Sequence, residues 1–125
     1  MFSHVMVGSN DIGKSKKFYD ALFGALGGKP GIADPKGRLI YIHNGSMFLV
    51  TPPIDGKPAC HANGGTIGFA VTSTEQADAW HKAGVEAGGT AIEDPPGWRE
   101  GTGMKLYLAY LRDPDGNKLC TMMRG

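Results

Sequence analysis

Residues 66–89, TIGFAVTSTEQADAWHKAGVEAGG, restate the plan of residues 4–28, HVMVGSNDIGKSKKFYDALFGALGG. A shift of 62 residues sets His4 on Thr66, Phe18 on Trp80, Ala21 on Ala83, Ala25 on Ala87 and Gly27 on Gly89. Each copy runs from a short apolar stretch into a one-sided helix and stops at a Gly-Gly pair. In the first copy the strand covers Phe2 to Val7. Asn10 or Asp11 caps the helix, because either side-chain oxygen can accept one of the N–H groups a helix leaves free at its start. Ser15, Phe18, Tyr19, Leu22 and Leu26 recur at helical spacing and form its inner face. In the second copy the strand covers Thr66 to Val71, and Ser73 with Gln76 forms a capping box. Ala77, Trp80, Ala83, Gly84 and Ala87 supply that helix's buried face.

Strands follow each helix. Arg38 to His43 and Met47 to Thr51 read as a hairpin turning at Asn44-Gly45. Thr90 to Ile92 reads as a short strand, followed by a loop, EDPPGWREGTG, that ends at Gly103. Lys105 to Leu111 and Lys118 to Met123 read as a second hairpin across Asp113-Pro-Asp-Gly116, with proline where a turn wants a fixed φ near −65°. Each half is thus a βαβββ module. Pro52, Pro53 and Pro58 mark the stretch between them as a linker. The expected architecture is α+β: one domain over residues 1–125, with module 1 at about 1–52, a linker at 53–64 and module 2 at about 65–125. The modules join as a curved mixed sheet around a cleft, with the helices outside.

At 125 residues the chain can bury a single core, and its formal charge of +1 contains no long run of either sign. Neither nucleic acid nor a membrane is an expected partner. No basic stripe is present, and no apolar stretch approaches the roughly 20 residues that cross a bilayer. MFSHVMVGSND has no basic or apolar leader pattern, and two cysteines make no disulfide framework, so a reduced, cytoplasmic protein is expected.

The duplicated plan, the His-x-x-Val opening, the Lys-Lys-Phe-Tyr helix and the closing LRDPDGNK resemble the vicinal oxygen chelate superfamily of glyoxalases, extradiol dioxygenases and bleomycin-binding proteins. The similarity covers essentially the whole chain. It implies a pocket shared by the modules, a dimer, and, in the enzymes, one divalent metal that grips two neighbouring oxygens. The family's ligands are a histidine on the first strand, a histidine on the fifth and a glutamate on the eighth. The glyoxalases add a carboxylate on the fourth. Carried onto this chain, these positions are His4, Thr66, Cys120 and Leu49. Of these only His4 matches; a thiolate can bind zinc, but threonine is a poor ligand and leucine none. No metal is therefore expected, and His4 is at most one ligand of an unusual site that His43 or His61 would have to complete.

His4 could serve as a general base or be a half-buried strand residue, and Cys120 could be a nucleophile or a small core residue. Strand alternation points Met6 the same way as His4, Gly68 with Thr66, and Met122 with Cys120. Tyr110 faces inward on the family's plan, either offering its hydroxyl to a ligand or packing in the sheet. Trp98 and Arg99, adjacent on the long loop, either close over a ligand or meet a second copy. The expected pocket is His4, Met6, Thr66, Gly68, Trp98, Arg99, Tyr110, Cys120 and Met122. Two functions follow: a small-molecule binding protein without the usual metal, or a metal-dependent lyase, isomerase or dioxygenase with a non-standard ligand set. In either case a small organic ligand and a homodimer are the expected partners.

Overall fold

The computed structural model describes residues 1–101 and 103–125. The first module contains β1 (Val5–Gly8), α1 (Ile12–Gly24), β2 (Ile32–Ala33), β3 (Leu39–His43) and β4 (Ser46–Thr51). The second contains β5 (Ile67–Ala70), α2 (Thr74–Glu86), β6 (Thr90–Ala91), β7 (Gly97–Gly101), β8 (Met104–Arg112) and β9 (Lys118–Arg124). The fold is α+β and consists of tandem βαβββ modules, as the repeat implies. Each module's strands hydrogen bond among themselves, giving the orders β1-β4-β3-β2 and β5-β9-β8-β6, with β7 added alongside β8. In both sheets the first strand runs parallel to the last, and the remaining pairs are antiparallel.

The local signals work as their chemistry demands. Asp11 caps α1 by accepting from Lys14 N, and Ser73 caps α2 by accepting from Gln76 N. Both helices end on a left-handed glycine, Gly27 (φ 82°) and Gly88 (φ 109°), a backbone shape that side chains resist. Gly28 N then donates to Phe23 O, and Gly89 N to Gly84 O. Asn44 and Gly45 both take positive φ, as a two-residue hairpin turn requires.

Some elements differ from the expected ones. The first strand begins at Val5, so His4 lies just before it. A two-residue strand, β2, covers the edge of β3. Residues 97–101, expected as loop, form β7 against β8. Their sequence, GWREG, shows no apolar alternation, so the backbone ladder to β8 decides their conformation.

The helices pack on each other and on one face of both sheets. Phe18, Tyr19 and Leu22 of α1 and Trp80 of α2 are fully buried, among Val50, Leu39, Ala109, Leu111 and Leu119. A Cβ on Gly84 would stand 2.6 Å from Leu111 Cδ2 and 3.0 Å from Leu22 Cδ1, so this small residue lets the helices approach.

A polar clasp ties the turn after β8 to module 1. Asp113, almost fully buried, accepts from Tyr19 Oη (2.6 Å) and from its own turn through Asp115 N, Asn117 N and Asn117 Nδ2. Asn117 Nδ2 also reaches Gly8 O, while Asp115 accepts from Asn10 N and Ser15 Oγ. A second carboxylate, Asp20, accepts from Lys16 Nζ, Gly31 N and Tyr41 Oη. Partial burial raises its pKa, but these three donors outweigh burial and hold it below the usual range.

All four tyrosines are held above the usual phenol value of about 10. Burial is the main cause for Tyr19, Tyr41 and Tyr110, whereas Tyr107 is pushed up to about 12 chiefly by donating to Asp78. Folding thus favours the neutral phenols. That stabilisation is complete below pH ~10 and is lost as the pH rises through the folded-state values. In an alkaline titration, phenolate absorbance is expected to stay nearly flat through pH 10 and then to rise together with loss of helical circular dichroism. Half-ionisation near pH 10 in the folded protein would contradict these environments.

Candidate functional site

Cross-strand partners share a face, and two parallel rows of residues stand on the face away from the helices. Module 1 contributes the row Met6, Leu49 and Ile40. Module 2 contributes Gly68, Cys120 and Tyr110, with Ala70, Met122 and Leu108 beside it. Leu49 pairs with Met6 of β1 just as Cys120 pairs with Gly68 of β5, so the two occupy equivalent rungs of the duplicated module.

Gly68, Tyr110, Cys120 and Met122 are therefore neighbours on one surface, and Met6 holds the matching place in the other sheet. Cys120 is buried, which pushes its thiol pKa up; Lys118 only partly opposes this, and Glu93 adds to it. Lys118 pairs with Glu93 and lies 5.0 Å above the Tyr110 ring. Cys60, in contrast, is exposed. One equivalent of thiol is expected to react rapidly with a disulfide reagent at pH 8, and Cys60→Ser is expected to remove that phase. A fast phase that persists in Cys60→Ser would show that Cys120 is open to solvent.

Trp98 and Arg99 lie apart from this surface or are already engaged. Trp98 is opposite Tyr107, packs edge-on to it at 5.2 Å, and carries Lys105 Nζ 4.9 Å above its ring. Arg99 turns back on its own segment and donates to Gly97 O, Asp94 O and Pro95 O. Thr66 is exposed immediately before β5.

The concavity lies elsewhere, between the sheets. β1 is the outer strand of one sheet and β5 of the other, and a cavity of about 380 Å³ opens between them. His4 and Val5 line one side, and Ile67, Gly68, Phe69 and Ala70 line the other. Phe23, Tyr41 and Phe48 join Phe69 in its wall, with ring centroids 4.9 to 5.7 Å apart along the chain of contacts. Lys29, His43, Asn44 and Ser46 add polar groups. Of the expected pocket residues, His4 and Gly68 line this cavity. The aromatic wall was not anticipated: alternation tells which residues share a face, not where two sheets leave a gap.

Two histidines, His4 and His43, thus line one cavity. His4 Nδ1 is hydrogen bonded to Ser3 Oγ at 2.8 Å, and Asn44 Nδ2 donates to His43 Nε2. His61 rests against Gly116, and His81 Nε2 donates to Tyr110 O. Among the described residues no three His, Cys, Asp or Glu side chains converge as a metal site would need. The four positions carried over from the family hold one imidazole, one buried thiol, a hydroxyl and an alkyl group, and this set does not fit a divalent ion.

The family model for the glyoxalase/bleomycin resistance protein/dioxygenase superfamily matches residues 1–121, and the chain belongs to that superfamily. A glyoxalase/bleomycin resistance protein from Albidiferax ferrireducens T118 is 59% identical over 98% of both chains, with a TM-score of 0.92. The hypothetical protein SA1046 from S. aureus shares the fold at 20% identity, with 98% of this chain and 93% of that one covered and a TM-score of 0.74. Lactoylglutathione lyase from Agrobacterium tumefaciens does so at 17% identity, with 98% and 92% covered and a TM-score of 0.66. No curated protein matches the sequence.

Proposed function

We propose that this protein binds a small organic molecule in the cavity between β1 and β5, and that it does so without a catalytic metal. The observation that carries the reading is the cavity itself. Its volume lies within the roughly 300–1,000 Å³ of small-molecule sites, and both modules wall it with rings and aliphatic side chains. The misfit donor set argues against the metal-dependent lyase, isomerase or dioxygenase alternative. Two unpaired cysteines favour the cytoplasm as its place of work. Exposed Met6, Ile42, Met47 and Met122 favour a homodimer, because such side chains are commonly covered in an assembly.

The purified protein, incubated separately with Ni²⁺, Zn²⁺, Mn²⁺ and Fe²⁺ and then desalted, is expected to retain far less than one ion per chain. Near-stoichiometric retention that disappears in His4→Ala would overturn the metal-free reading. Sedimentation at micromolar concentration checks the dimer separately.

A further inference from the structure

The cavity has a charge asymmetry that narrows what it can hold. Among the described residues that line it none is an aspartate or glutamate, whereas Lys29, His4 and His43 all line it. Among the described residues Lys29 has no carboxylate partner. His43 and the Gly28-Lys29 segment adjoin: a Cβ on Gly28 would stand 3.5 Å from His43 Nδ1. Asp20, the nearby acid behind Tyr41, is not in the lining and is already engaged by Lys16, Gly31 N and the Tyr41 hydroxyl. The carbonyl end of α1 opposes an anion in this region, but Phe23 O is already taken by the Leu26 and Gly28 N–H groups.

The apolar part is equally particular. Phe23, Tyr41, Phe48 and Phe69 approach one another in tilted and edge-on pairs; the first three are nearly buried and Phe69 is half-buried, so they meet the cavity as an aromatic wall against which a flat ring can pack. We infer that the ligand is an aromatic acid, its ring against Phe23, Phe48 and Phe69 and its carboxylate toward Lys29 and His43. This deepens the proposed binding function and rests on it. A carboxylate next to a free ammonium gains a charge-assisted hydrogen bond, while an ammonium ligand there meets like charge.

The test uses 4-fluorobenzoate, 4-fluorobenzyl alcohol and 4-fluorobenzylamine, each titrated with the full-length protein and followed by ¹⁹F line broadening at low salt. The acid is expected to bind about tenfold more tightly than the alcohol, and the amine most weakly. Lys29→Gln combined with His43→Gln is expected to narrow the gap between acid and alcohol to less than about twofold. Ala70→Trp and Ser46→Trp, two substitutions at exposed lining positions, are expected to abolish binding of all three while each variant keeps its circular dichroism. Equal affinity for the three probes, or preference for the amine, would overturn the aromatic-acid inference and leave the cavity reading standing. No binding by any probe, or binding that survives both tryptophan variants, would overturn the cavity reading as well.

Discussion

Replacing Asp113 with alanine is expected to lower stability by about 3–5 kcal/mol, out of the 5–15 kcal/mol typical of a domain. The carboxylate is almost inaccessible and holds four donors at once: the Tyr19 hydroxyl, two backbone N–H groups and the Asn117 amide. Alanine leaves all of them without it, and Tyr19 is itself fully buried. Tyr19→Phe removes only one donor and is expected to cost about 1–2 kcal/mol. The double variant should lose less than the sum of the two, because both changes break the same 2.6 Å bond. Urea unfolding of the four proteins measures this directly. Strict additivity would show that the Tyr19–Asp113 contact does not couple the modules.

Trp80 carries the second large effect. Among the described residues it is the largest fully buried side chain, and its indole Nε1 finds no acceptor among them. Trp80→Ala empties the place where α2 meets Phe69 and the shared core and is expected to cost about 3–5 kcal/mol. Trp80→Phe behaves differently. The smaller ring leaves a void, but it also removes a buried N–H whose desolvation is otherwise uncompensated, so the two changes offset and the net effect is expected to be within about 1 kcal/mol. A loss in Trp80→Phe as large as in Trp80→Ala would mean that the N–H has a partner, a buried water for instance.

Much of this architecture was legible because its signals are local. Asp11, Ser73, Asn44-Gly45 and Asp113-Pro-Asp-Gly116 each act within a few residues, and each stands where its chemistry predicts. Leu49 and Cys120, both assigned as ligand positions from the family's plan, also occupy equivalent rungs of the two sheets. β7 was not legible, since Trp98, Arg99 and Glu100 acquire strand geometry from β8 rather than from their own pattern. The cavity was legible only in part. His4 could be assigned to a pocket from the family's plan and Gly68 from strand alternation, but no local signal sets Phe23, Phe48 and Phe69 apart. Nothing in a single strand's alternation reports the gap between the edges of two sheets.

The clasp also bears on the order of events in the cell. Tyr19 meets its partner 94 residues later in the chain, so α1 cannot complete its burial until the turn at residues 113–117 exists. At a translation rate of about 5–20 residues per second, that delay is about 5–20 s. Throughout it, Phe18, Tyr19 and Leu22 lack the Leu111 and Leu119 side of their core, and the nascent first module shows an apolar helix face of the kind that chaperones cover.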